Sequence, residues 1–71
     1  MAISLAVRLG RRLRRLREQR GWHQTYLAEI AGIGRAHLSQ IENGAVAPRI
    51  DTVEALAHAL EISLCDLFQG L

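Results

Sequence analysis

Apolar residues recur along this chain at spacings of three and four, the period of a helix with one buried face. In the first segment Leu5, Leu9, Leu13 and Leu16 form one stripe, Arg8, Arg11, Arg14 and Arg15 occupy the other faces, and Gly21 supplies the stop. A second, shorter helix is predicted from about Gln24 to Ala31, with Leu27, Ala28 and Ala31 inward and Gly32 at its end. The stretch IGRAHLSQIENG, Ile33 to Gly44, predicts a third, closed by Asn43-Gly44. Pro48, the only proline, places the next element. A fourth helix is expected over about Ile50 to Leu60, burying Ile50, Val53, Leu56, Ala57 and Leu60. A fifth opens at Ser63, whose hydroxyl and Asp66 form a Ser-x-x-Asp capping box, and it carries Leu64, Leu67 and Phe68. Strand signals are nearly absent, and no repeat, low-complexity tract or linker interrupts the pattern. The expectation is an all-α fold, a compact five-helix domain over residues 1–71.

The third helix poses a functional question. At about 100° per residue, Arg35, Ala36, Ser39 and Gln40 fall on one arc, and Leu38 and Ile41 fall on the opposite side. Two short helices joined by Gly32-Ile33-Gly34 have the geometry of a helix-turn-helix. Leu38 and Ile41 anchor the second helix shallowly, so most of its surface stays free to enter a DNA major groove. Arginine can bond guanine bidentately, an amide can pair with adenine, and a methyl group can pack on thymine. Arg35, Gln40 and Ala36 supply those three chemistries, and Ser39 can donate or accept. The outward mixture is a vocabulary for reading bases.

Charge sharpens this picture. The formal net charge is only +2, yet residues 1–35 hold eight of the nine basic residues, all arginine, and only Glu18 and Glu29 among the acids. The second half carries Arg49 against Glu42, Asp51, Glu54, Glu61 and Asp66. Such asymmetry points to a polyanion on one side of the molecule. The plain alternative is a solvated helix face with local Arg–Glu pairs and one or two arginines near phosphates. Cys65 is the only cysteine, which excludes an intramolecular disulfide, and His23, His37, His58 and Cys65 lack the paired spacing of a zinc site. No metal, cofactor or small-molecule ligand is expected. One thiol and no signal-peptide pattern favour the cytoplasm, and no apolar stretch is long enough for a membrane span. No nucleophile has a base at motif spacing and no glycine-rich phosphate loop occurs, so an enzyme is not expected.

The segments LGRRLRRLREQRGWHQTYLAEIAGI, GRAHLSQIENG and PRIDTVEALAHALEISLCDLF together resemble the helix-turn-helix domains of the phage repressor and Cro group, the XRE-type regulators. Restriction–modification controller proteins belong to the same type. Helix phases, glycines and turn lengths agree from Leu9 to Phe68. The resemblance implies a repressor-like fold and a transcriptional regulator of double-stranded DNA. It also implies roles for particular residues. Gln24 matches a glutamine that holds a DNA phosphate and braces the recognition helix, and Arg35, Ala36, Ser39 and Gln40 match positions that meet base edges. Asn43 and Arg49 match positions at the phosphate backbone. Arg17 and Glu42 match an ion pair tying the first helix to the third; if the pair is buried, removing one partner is expected to cost about 3–5 kcal/mol.

Departures from the family pattern are specific. His23 and Gly34 stand where Ser or Thr usually caps the second and third helices, although glycine is an acceptable N-cap. Glu61 replaces a frequent glycine, at a cost of about 1 kcal/mol if its φ is positive. Ile30 replaces a polar residue, and the loop Gly44 to Pro48 has no lysine for phosphate. His37, at the margin of the reading face, either touches a phosphate or is a solvated helix residue. Trp22 is expected to cover the core at the helix junction, and Cys65 to behave as a small apolar residue.

One recognition helix reads too few base pairs to find a site in a genome, so a homodimer on a pseudo-palindromic operator is expected. Leu64 and Leu67 are expected to pack inward, leaving Ile62, Cys65, Phe68 and Leu71 as the dimer seam, with Met1-Ala2-Ile3 able to add to it. No effector-binding domain is expected. A protein-interaction module, such as an antitoxin subunit whose acidic half covers a basic partner, is the alternative; a stable copurifying partner would distinguish it.

Overall fold

The computed structural model describes residues 3–71 and contains five helices and, among the described residues, no strand. They are α1 (Leu5–Gln19), α2 (Gln24–Ala31), α3 (Arg35–Glu42), α4 (Ile50–Ala59) and α5 (Leu64–Phe68). Met1 and Ala2, suggested as an addition to the seam, lie outside the described residues. α1 packs on α3, α2 on α3 and α4, and α5 against α1 and α4. One core results, made of Leu9, Leu13 and Leu16 from α1, Leu27 and Ala28 from α2, Leu38 and Ile41 from α3, Val53, Leu56, Ala57 and Leu60 from the α4 segment, and Leu67 from α5.

The helix boundaries follow local chemistry. Ser4 accepts from the Val7 amide and Ser63 from the Asp66 amide, capping α1 and α5. α1, α2 and α3 each end in a residue with positive φ, respectively Gly21, Gly32 and Gly44. At all three, the amide of the next residue reaches back five positions, Trp22 to the Arg17 carbonyl, Ile33 to that of Ala28 and Ala45 to that of Gln40, which satisfies carbonyls the helix leaves open. After α4 the same bond runs from Ile62 to Ala57, but the positive-φ position is Glu61, at 58°. Neither His23 nor Gly34 makes a side-chain cap bond.

Packing corrects three expected core positions. Ile50 is 83% exposed and Leu5 49%, although both sit on the apolar stripe of their helices. Both line an open apolar hollow of about 250 Å³, together with Pro48, Val53 and Phe68, that no further side chain fills. Leu64, expected inward with Leu67, is exposed, whereas Leu67 is fully buried. α5 is only five residues long and can turn one side chain fully into the core.

Gly10 is a determinant of packing that the hydrophobic pattern does not reveal. It is buried in the middle of α1, and a Cβ there would lie 2.2 Å from the Ile41 carbonyl oxygen and 2.9 Å from that of Glu42. α1 therefore crosses the end of α3 at backbone contact distance. The available signal was energetic: glycine inside a strongly periodic helix costs about 1 kcal/mol relative to alanine, which calls for a packing reason.

Candidate nucleic-acid interface

α3 is anchored by Leu38 and Ile41 and, at its last residue, by Glu42, and leaves the rest of its surface open. Leu38 and Ile41 are fully buried, while Arg35, Ala36, His37 and Gln40 are exposed and Ser39 is half-buried. Among the described residues, the side chains of Arg35, His37, Ser39 and Gln40 make no hydrogen bond or ion pair; all hydrogen-bonding side chains lie elsewhere. The arc of Arg35, Ala36, Ser39 and Gln40 is thus one continuous outward face. Asn43 is exposed at the helix end and Arg49 is exposed just before α4.

Behind this face, one buried carboxylate ties three helices. Glu42, the last residue of α3, is 4% exposed. Its Oε2 accepts from Arg17 Nε at 2.8 Å, and its Oε1 accepts from Arg17 Nη2 at 3.0 Å and from Gln24 Nε2 at 3.0 Å. Arg17 Nη1 also donates to the Trp22 carbonyl at 2.6 Å, which fixes the guanidinium plane. A carboxylate at a helix C-terminus faces the negative end of the macrodipole, so these donors are what make its burial tolerable. The hydrogen bonds that Arg17 donates to Glu42 outweigh the opposing effect of burial and raise the guanidinium above its already high ordinary pKa. Because the folded value is raised, this stabilisation is fully present below the ordinary guanidinium pKa and is lost only as pH climbs through the raised one. No buried side-chain nitrogen or oxygen among the described residues lacks a partner.

Gln24, at the first position of α2, spends an amide N–H on Glu42 and keeps its carbonyl and second N–H for other contacts. Trp22 is half-buried against the core, with its ring edge-on to Tyr26 at 4.9 Å and the Arg20 guanidinium 5.7 Å from its centre.

Part of the arginine cluster of α1 is engaged within the chain, which neither reading of its charge anticipates. Arg20 donates to the carbonyls of Leu16 at 2.9 Å and Leu60 at 2.8 Å, and Arg12 to those of Asp66 at 2.9 Å and Leu67 at 3.3 Å. Arg8 reaches the main-chain oxygen of Leu71, 63 positions away. These side chains tie the ends of α4 and α5 to α1, with cations at the negative ends of helices. Only Arg14 forms the expected local pair, with Glu18 at 3.3 Å, and both are more than half exposed. Sequence reasoning misses this because the acceptors are main-chain oxygens of distant elements.

Of the four residues expected at a seam, Phe68 and Cys65 are exposed, whereas Ile62 and Leu71 pack against the core. The exposed apolar surface near Phe68 is completed instead by Leu5, Ile50 and Leu64.

Comparison with known proteins agrees with this architecture. A helix-turn-helix family model matches residues 13–67. The chain is 39% identical over 59 residues to the HTH-type transcriptional regulator SutR of Escherichia coli (strain K12); the match covers 83% of this chain and 33% of the regulator, so the chain spans about a third of that relative's length. Among solved structures, the restriction-modification controller protein C.AhdI from Aeromonas hydrophila superposes with a TM-score of 0.85 at 35% identity, covering 89% of this chain and 96% of the controller. The P22 c2 repressor protein, solved in complex with a synthetic operator, superposes with a TM-score of 0.78 at 28% identity, covering 89% of this chain and 96% of the repressor. By fold and by sequence the chain belongs to the XRE-type helix-turn-helix family, a family of DNA-binding transcriptional regulators and not of enzymes.

Proposed function

We propose that residues 1–71 act as one unit that reads a pseudo-palindromic operator in double-stranded DNA as a homodimer, in the cytoplasm. In this reading α3 enters the major groove and Arg35, Ala36, Ser39 and Gln40 meet base edges. Gln24, His37, Asn43 and Arg49 hold the phosphate backbone on either side. The observation that carries the reading is the division of α3 itself: two fully buried anchors, one braced carboxylate, and an outward face whose polar groups have no partner within the described chain. Polar side chains that need hydrogen bonds and find none internally are available to an external surface. The likeness to a repressor solved on its operator supports the same docking.

Dimerisation follows from the requirement for enough base pairs, and the seam is the apolar patch around Phe68 and Cys65, extended by Ile50, Leu5 and Leu64. Binding selection from a random duplex pool, followed by sedimentation of the complex, tests both parts. Expected are an enriched sequence with two-fold symmetry, half-sites about one helical turn apart, and two chains per duplex. The logarithm of affinity should fall linearly with the logarithm of salt concentration. Enrichment of no sequence, together with a monomer that copurifies with another protein, would favour the interaction-module reading.

A further inference from the structure

Away from α3, one strongly charged feature has no counterpart. Arg8, Arg11, Arg12 and Arg15 follow each other at three- and four-residue spacings on α1, on the side turned away from Gly10 and Arg17, which meet α3. They form one wall of an open hollow of about 300 Å³, faced by Gln69, Gly70 and Leu71; no carboxylate side chain lines it, and the Leu71 main-chain oxygen in it is already engaged by Arg8. Arg8 and Arg12 are tethered there by their bonds to the main-chain oxygens of Leu71, Asp66 and Leu67. Arg11 and Arg15 are exposed and donate to no described residue. Across the hollow, the Gly70 amide donates to no main-chain carbonyl of the described residues.

Like charges three and four residues apart destabilise a helix, and here the arginines with acidic partners, Arg14 with Glu18 and Arg17 with Glu42, lie on other faces of α1. Guanidinium groups offer planar forks that match the oxygens of phosphate, and two adjacent forks suit two linked phosphoryl groups better than one carboxylate. We propose that this hollow binds a pair of adjacent phosphoryl groups, gripped by Arg11 and Arg15, with Arg8 and Arg12 as fixed charges and the Gly70 N–H as a donor from the opposite wall. The source is either a free oligophosphate, as in a nucleotide, or the backbone of a nucleic acid lying on the side of α1 away from α3. The inference is independent of how α3 is used.

The test titrates tripolyphosphate, and separately a short random-sequence duplex, into the full chain at physiological salt, following the arginine side-chain N–H and Gly70 amide resonances. Saturable shifts at Arg11, Arg15 and Gly70 are expected; in an Arg11→Gln/Arg15→Gln double variant the binding read at the Gly70 amide weakens about tenfold or more, and in Arg35→Ala all three shifts are unchanged. Both replaced residues are exposed, and losing like-charge neighbours should raise the unfolding temperature slightly, so the variant remains folded. A response to tripolyphosphate alone assigns a free oligophosphate; the same resonances moved by the duplex, with the Gly70 shift lost in the double variant, assign a nucleic-acid backbone. No saturable response in either arm, or an undiminished one in the double variant, overturns the proposal.

Discussion

Glu61 holds a φ of 58° in the turn after α4, the conformation that glycine supplies after α1, α2 and α3. A side chain in that region costs about 1–2 kcal/mol, while glycine costs more chain entropy on folding. Glu61→Gly is therefore expected to stabilise the domain by about 1 kcal/mol, read as a higher urea midpoint with an unchanged slope. An unchanged or lower midpoint would mean that the Glu61 side chain offsets its own strain. This position is legible through the family resemblance, in which a glycine is frequent where Glu61 stands. The roles of Arg8, Arg12 and Arg20 are not, since a side chain that seeks a distant main-chain oxygen leaves no mark on local spacing.

Elements are more legible than their distances. The limits of α2 follow from Gln24 after an extended His23 and from Gly32, and the burial of Leu38 and Ile41 follows from helical phase. Ile50 shows the boundary of that logic: periodicity says which way a residue points, but not whether another element lies opposite. Gly10 shows the same limit, because periodicity carries no information on how closely two helices approach. Gly10→Ala separates packing from propensity. Helix propensity alone predicts a gain of about 1 kcal/mol. A methyl group 2.2 Å from the Ile41 carbonyl oxygen instead forces α1 and α3 apart, with an expected net loss of about 1–3 kcal/mol by urea unfolding. A more stable variant would mean that the α1–α3 contact is looser than described. Because α1 and α2 together hold Glu42 at the end of α3, that variant should also weaken DNA binding.

At the scale of the whole molecule the chain divides its surface by chemistry. The free face of α3 is polar and internally unpartnered, the patch around Ile50 and Phe68 is apolar, and the outer face of α1 is arginine-rich. The five described helices bury one small core, and the brace among Arg17, Gln24 and Glu42 and the arginine tethers add polar links between them. The central claim is that α3 reads bases and does not merely rest on phosphates. Arg35 tests it most directly, being exposed at the start of the reading face and bonded to nothing within the described chain. Affinities of the unmodified chain and of Arg35→Ala are to be measured at one salt concentration on the selected operator and on random duplex. The account predicts a loss of about 1–3 kcal/mol on the operator, little change on random duplex, and relaxed preference at one base pair of each half-site. Equal weakening on both duplexes, with sequence preference intact, would contradict it.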